Sequence, residues 1–202
     1  MQTHAPPPTV AFLTARTRRS WPLAARWLLG ALAFPPAGEL AILAVNAVDA
    51  PAPALVGGFI AGAGIGAAQW LALRSLPGAG ARLRNRWIAG TASAMAVGLA
   101  LGAALVGYRT GTGDLVAMGL VTGAVLGPVQ AAVATTTGVL DRRSAALWAA
   151  TVPALWSLGW WITASAGIDV ERQFAVFGIS GAVATAAVGG AVLGRLVRRS
   201  NP

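Results

Sequence analysis

The stretch GFIAGAGIGAAQWLALR, residues 58–74, decides the fold of this chain. It places Gly58, Gly62 and Gly66 four residues apart, in a run that has no charged residue before Arg74. A run of this kind is apolar over several helical turns and has small residues along one face, which is typical of a helix packed closely against another inside a membrane. We therefore predict a transmembrane helix here.

The composition of the whole chain agrees with a membrane location. Of the 202 residues, 56% are hydrophobic and only 10% are charged, and the mean hydropathy is +0.67. Soluble domains carry about 25% charged residues, so this composition excludes an ordinary cytosolic enzyme and a disordered chain. The absence of cysteine from the sequence excludes a secreted disulfide scaffold.

Six apolar runs are long enough to cross about 30 Å of hydrocarbon as helices. The predicted spans are Trp27 to Val48, Ala54 to Leu73, Trp87 to Gly107, Leu115 to Gly138, Ala145 to Ile168 and Phe174 to Val197. Residues 1–22 are predicted to be a mobile cytoplasmic tail and residues 23–202 the six-helix transmembrane domain. Arg18 and Arg19 also fit a twin-arginine export signal, but the apolar run continues to Val48, so we expect no cleavage after it.

The arginines predict the orientation of the spans. All but two of the 15 basic residues fall before the first span, in the last residues of the sequence from Arg195 on, or in the loops between spans two and three and spans four and five. The exceptions are Arg109 and Arg172. The excess of positive charge on one side predicts that both termini are cytoplasmic. It also explains the net charge of +9 by contact with anionic lipid headgroups, so no nucleic-acid partner is expected.

Similar segments recur with a period near 60 residues. RWLLG from Arg26 matches RWIAG from Arg86 and, more loosely, LWAAT from Leu147. GFIAGAGIGAAQ, residues 58–69, matches GLVTGAVLGPVQ, residues 119–130, and FGISGAVATAAV, residues 177–188, is a diverged third copy. These matches predict three tandem two-helix hairpins, over approximately 23–80, 81–141 and 142–202. Because each unit holds two spans, the copies should share a pseudo-threefold axis along the membrane normal.

Three polar residues inside the predicted spans are the candidate intramembrane polar site: Glu39, Gln69 and Gln130. An ionisable group at such depth marks an ion, proton or substrate path by default, and Glu39 follows Pro35 and Pro36, which should kink or unwind the helix. The structural alternative for Glu39 is a hydrogen bond between helices, or water admitted where the helix is broken. For the two glutamines, hydrogen bonding between helices is the favoured role and ligand contact the alternative.

The aromatic residues near the span ends fit interfacial belts. Trp27, Trp87 and Trp148 begin the odd-numbered spans, and we expect them at the membrane interface without chemical roles. Enzymatic activity is not expected, because the only histidine, His4, lies in the tail and the acidic residues are scattered. The same scarcity of clustered ligands predicts no metal site and no cofactor.

The segment GIGAAQWLALR and the recurring Arg-Trp helix starts resemble uncharacterised bacterial multi-span membrane proteins with repeated GxxxGxxQWLxLR transmembrane hairpins. The similarity covers nearly all of the chain, but only the first repeat keeps the full motif, since Ala131 and Ala132 follow Gln130. The resemblance implies a bacterial cytoplasmic (inner) membrane location and supplies no activity. Size, six spans and cytoplasmic termini are also similar to the substrate-binding subunits of energy-coupling-factor vitamin importers.

Two functional hypotheses follow. The first is a non-catalytic scaffold or accessory subunit of a membrane assembly, with a membrane protein partner; it is favoured because packing glycines are abundant and polar groups are few. The second is a small-molecule, lipid or ion binding or transport protein, with a cavity near Glu39 that Gln69 and Gln130 also face.

Overall fold

The computed structural model describes residues 22–77, 79–168, 170 and 175–201. In this part of the chain all regular secondary structure is helical. The elements are α1 (Leu23–Leu29), a 3-10 turn (Gly30–Ala33), α2 (Phe34–Val45), α3 (Pro51–Leu73), α4 (Ala81–Leu105), α5 (Thr112–Thr136), α6 (Arg142–Ser165) and α7 (Ile179–Ser200). Six helical spans, with Leu23–Val45 counted as one, are long and apolar enough to cross a membrane. They support a multi-pass membrane protein, as predicted. Of the predicted tail, only Pro22 is described.

Each predicted span overlaps one observed span, and the boundaries differ by a few residues. The largest differences are at the third span, where the prediction began at Trp87 and the helix begins at Ala81, and at the last span, where the prediction began at Phe174, outside the described residues, and the helix begins at Ile179. The apolar residues before it, including Val176 and Phe177, are buried in a loop. Hydropathy alone does not distinguish a buried apolar loop from the first turn of a helix.

Pro35 and Pro36 lie in the first turn of α2 and explain why the first span is not one regular α-helix. A proline ring has no N–H, so the carbonyls of Ala31 and Leu32 lack the donors that a regular helix supplies four residues later. The chain tightens to a 3-10 turn over Gly30–Ala33. The interruption predicted from the proline pair is therefore present.

The spans pack in a closed ring. From α3 to α7, each helix packs against the next one along the chain. The first span closes the ring, because α1 packs mainly on α7 and α2 packs mainly on α3. One end of this ring holds most of the described arginines, and we call it the arginine-rich end: Arg26, Arg74, Arg82, Arg84, Arg86, Arg142, Arg143, Arg195, Arg198 and Arg199.

The loop before α7 fills the ring where α2 and α7 have few contacts. The ring centroid of Phe177 lies 5.1 Å from that of Phe34 and 5.0 Å from that of Trp156. Gly38 permits this insertion, since a methyl group there would lie 2.9 Å from a methyl of Val176. The side chains of Phe34, Trp156 and Phe177 thus fill this part of the ring.

Glycines bring neighbouring helices into direct backbone contact. A methyl group on Gly62 of α3 would lie 2.8 Å from the Cα of Ala92 on α4. On Gly123 of α5 it would lie 2.5 Å from the Cα of Pro153 on α6. In lipid, this close packing replaces the expulsion of water as the force that holds helices together.

Candidate functional site

The two glutamines predicted as site residues meet inside the ring. Nε2 of Gln130, on α5, donates a hydrogen bond of 3.0 Å to Oε1 of Gln69, on α3. These two helices are separated in the ring by α4, so the bond crosses the interior. The same Nε2 donates to the hydroxyl of Thr91 on α4 at 3.2 Å. Three helices are therefore joined through one carboxamide, which is 2% exposed.

Two tryptophans donate hydrogen bonds to the glutamine oxygens. Nε1 of Trp87 donates to Oε1 of Gln69 at 3.1 Å, and Nε1 of Trp148 donates to Oε1 of Gln130 at 3.2 Å. Each tryptophan follows its glutamine by 18 residues. An indole N–H only donates, so it fixes which end of each amide is the oxygen.

Trp27 lies between these two tryptophans. Its ring is edge-on to Trp87, with centroids 6.2 Å apart, and edge-on to Trp148, at 5.8 Å. All three indoles are at most 6% exposed. The prediction that they belong to an interfacial belt is wrong, because their rings turn inward and pack on one another. The common spacing of 18 residues between glutamine and tryptophan was the signal that links them to the polar site.

A central cavity adjoins this cluster. It has about 40 Å³ of free volume, and the polar side chains on its wall are Gln69, Gln130 and Thr185. A cavity needs roughly 10–15 Å³ to hold one water molecule, so this one has room for a few waters or one very small molecule. Its remaining wall is mainly aromatic and aliphatic: Trp27, Gly30, Phe34, Trp148, Val152, Leu155, Trp156, Phe177 and Ala186.

Glu39, the third predicted site residue, lies elsewhere. Its side chain is exposed on the outer surface of α2 and is not part of the cavity wall. The buried face of α2 is instead formed by Ala37, Gly38 and Ala41. The hypothesis that Glu39 shares a central cavity with the two glutamines is not supported by this placement. Residues 37 and 41 fix the face of the helix that points inward, and 39 falls on the opposite side.

The cluster is suited to hydrogen bonding rather than to proton transfer. Amide and indole groups do not titrate near neutral pH, and a nucleophile would need an adjacent base. Among the described residues, no group of three or more histidine, aspartate or glutamate side chains is placed to hold a metal ion. The arrangement can join helices and can bind a small polar molecule.

Charged groups with partners lie at the ends of the ring. Arg109 forms an ion pair of 2.9 Å with Asp114 at the end opposite the arginine-rich end. Hydrogen bonding to this carboxylate, together with its charge, raises the pKa of Arg109. At the arginine-rich end, Asp141 caps α6 by accepting from the backbone N–H of Ser144, and its other oxygen accepts from the hydroxyl of Ser200 at 2.8 Å. These bonds lower the pKa of Asp141 from 3.8 to about 2.

No protein-family model matches the chain, and no significant match was found among curated proteins or solved structures.

Proposed function

We propose that this chain is a non-catalytic integral membrane protein that serves as a scaffold or accessory subunit of a membrane assembly. The observation that carries the proposal is the exposed position of Glu39 on the outer surface of α2. A charged side chain at the centre of a span costs roughly 2.5–3.5 kcal/mol on insertion scales, and Glu39, six residues before the end of α2, bears part of this cost. A partner helix that offers a donor group at this depth offsets part of that cost.

The first span has a free face for such a partner. Its apolar window is 28% buried, whereas the corresponding windows of the other spans are 39% to 50% buried. Leu32, Leu40 and Leu43 are 66%, 58% and 81% exposed on the same side as Glu39. We call these three leucines and Glu39 the Glu39 face. It combines apolar contact area with one acidic group.

The occupant we infer is a transmembrane helix of another protein, with a basic or hydrogen-bond-donating side chain opposite Glu39. Charge complementarity selects this partner over a second copy of the chain. In a symmetric dimer the same surface meets itself, which would bring two Glu39 side chains together. An acidic side chain gains most from a donor, and hydrogen bonds between transmembrane helices are worth about 1 kcal/mol each.

Site-specific photo-crosslinking in the native host membrane tests this proposal. A photoreactive residue replaces Leu43 in one variant and, as a matched control, Leu105 on α4, which is 69% exposed. We expect one protein adduct from position 43 only. Its crosslinked peptide should map to a transmembrane segment with a basic or amide side chain within one turn, and Glu39→Leu should lower its yield about tenfold.

Three results of the crosslinking experiment would contradict the proposal. They are equal adducts from positions 43 and 105, adducts with lipid alone, and an adduct of the chain with itself. The last result would identify the Glu39 face as a contact between two copies.

We further propose that the protein lies in a bacterial inner membrane with both termini in the cytoplasm. The charges at the two ends of the ring support this orientation, because Arg109 is already paired with Asp114 while the opposite end is rich in arginine. The arginine-rich end would then contact anionic headgroups of the cytoplasmic leaflet, and nucleic acid is not needed to explain its charge.

We also propose that the domain consists of three tandem hairpins around a pseudo-threefold axis. The two glutamine-tryptophan bonds support this arrangement. Gln69 with Trp87, and Gln130 with Trp148, have the same spacing and the same donor and acceptor atoms. The two glutamines are 61 residues apart, and the same offset separates the two tryptophans.

Small-molecule, lipid or ion binding or transport is the second candidate function. The central cavity supports it, because Gln69, Gln130 and Thr185 bring polar groups to its wall. The two functions differ in their sensitive residues. An accessory subunit loses its partner when Glu39 is changed and keeps its fold. A binding protein loses its ligand when Gln69 or Gln130 is changed and tolerates Glu39→Gln.

A further inference from the structure

The third central tryptophan, Trp27, has Gly189 of α7 beside its indole nitrogen. A Cβ on Gly189 would lie 3.5 Å from Nε1 of Trp27. Trp87 and Trp148 instead donate through Nε1 to Oε1 of Gln69 and of Gln130. The ring thus contains three central tryptophans, of which two face a glutamine oxygen and the third faces a glycine.

Two residues that line the central cavity, Trp27 and Gln69, have N–H groups without an acceptor among the described residues. Oε1 of Gln69 accepts two hydrogen bonds, while its Nε2 donates none to a described group, and neither does Nε1 of Trp27. Neither nitrogen is a fully enclosed atom without a partner, and the residues that carry them line the central cavity. Both donors therefore remain accessible to a molecule in that space.

The oxygen of Gln130 can accept one more hydrogen bond. Oε1 of Gln130 accepts a single hydrogen bond, from Trp148, and a carbonyl-type oxygen accepts two. The residues of the cavity wall therefore offer two donors and one acceptor position. A primary carboxamide has the complementary set, an oxygen with two lone pairs and an N–H donor. Gln130 shows that a carboxamide is accommodated beside this wall, since its own amide accepts from Trp148 and donates to Gln69 and Thr91.

We propose that the central cavity is a binding site for a small neutral amide, of the class of primary carboxamides and urea. Its oxygen accepts from Nε1 of Trp27 and Nε2 of Gln69, and its N–H donates to Oε1 of Gln130. The cavity volume of about 40 Å³ limits the ligand to a few non-hydrogen atoms. A cavity of roughly 150 Å³ is needed for a molecule as large as benzene. This site is independent of the Glu39 face, so the accessory function and the amide site stand or fall separately.

Nuclear magnetic resonance of the indole and side-chain amide N–H groups, on the full chain in lipid nanodiscs, tests the site. Acetamide is the probe, and acetone, which accepts hydrogen bonds but donates none, is the comparison. We expect acetamide to shift the Trp27 and Gln69 N–H resonances saturably, and acetone to bind about fivefold to tenfold more weakly because it lacks one hydrogen bond.

Three variants define the expected pattern. Trp27→Phe keeps a ring and removes one donor, so acetamide should bind about fivefold to tenfold more weakly. Gly189→Gln supplies a carboxamide from the chain itself and should abolish the acetamide response. Thr185→Val is the matched control, because the Thr185 hydroxyl lines the cavity but is already bonded to the carbonyl of Gly181 at 2.9 Å; its response should equal that of the wild type.

The Gly189→Gln variant also gives a readout that does not depend on added ligand. Its new amide should protect the Trp27 indole N–H from hydrogen exchange by at least tenfold, while the exchange of the Trp87 and Trp148 indole N–H groups, which are bonded to Gln69 and Gln130, stays unchanged. If acetamide causes no saturable shift in the wild-type protein, the cavity holds only water and the proposal is wrong. An equal loss of response in Thr185→Val and Trp27→Phe would also overturn it, since the response would then follow cavity shape and not hydrogen bonding.

Discussion

Polar groups inside the apolar spans have opposite surroundings in the Gln69–Gln130 cluster and in the Glu39 face. The amide of Gln130 is enclosed and bonded to side chains on three other helices. The carboxylate of Glu39 lies on the outer surface of the ring among exposed leucines. The difference separates two roles for polarity in lipid, one that holds a fold together and one that leaves a bond to be made with another molecule.

The largest expected effect comes from adding a large side chain between two helices of the ring, compared with the same addition on the outer surface. Gly123→Leu should separate α5 from α6 and destabilise the protein by at least about 3 kcal/mol, because the added side chain meets the backbone of Pro153 at 2.5 Å. Ala44→Leu, at an exposed position on α2, should be neutral. The yield of folded protein and its unfolding free energy in mixed micelles measure both. A folded, stable Gly123→Leu variant would contradict the tight α5–α6 contact.

A second test replaces one polar residue at each site with leucine. Gln130→Leu leaves Trp148, Gln69 and Thr91 without a shared partner, and we expect a loss of about 2 kcal/mol of unfolding free energy. Glu39→Leu should change the unfolding free energy of the isolated protein by less than about 0.5 kcal/mol. Thr135→Val controls for side-chain shape, since that hydroxyl bonds only to its own helix, at Ala131. The comparison fails if Glu39→Leu is the more destabilising of the two.

The smallest effect concerns Asp141, a carboxylate with partners, in contrast to Glu39. Its pKa of about 2 in the folded protein lies below the ordinary value of 3.8. The ionised side chain therefore stabilises the fold above about pH 4, and this contribution is lost as the pH falls from 4 to 2. We expect the melting temperature of the wild type to exceed that of Asp141→Asn at pH 6 by a small margin that vanishes at pH 2. A constant margin across this range would show that the cap acts through geometry alone.

Much of the fold was predictable from the sequence because hydropathy records the length of each span. The runs around residues 58–74 and 119–130 are uniformly apolar, and the proline pair at Pro35 and Pro36 marks the break in the first span. Helix faces were harder to predict, because alanine and glycine occupy every face of these helices. The buried face of α2 is formed by Ala37, Gly38 and Ala41, which the sequence does not distinguish from its exposed Ala44.

The candidate site was predicted in part. Gln69 and Gln130 were recognised because a carboxamide is rare in so apolar a chain. Trp27 was assigned to the interface because tryptophan at a span end usually lies there, and only the ring closure by α1 and α7 places it inside. A long-range contact of this kind has no local signal in the sequence, and neither does the position of Gly189 beside Trp27.

The ring closure also has a consequence for the order of assembly during synthesis. Trp27 is made early, but α7, which packs against α1, is the last span to be made. Until α7 enters the membrane, the indole of Trp27 has neighbours on α4 and α6 and lipid in place of Gly190. The first span is therefore the last to gain its full set of contacts. We expect a chain held on the ribosome before Ile179 emerges to be an open arc of helices, which closes when α7 packs against α1.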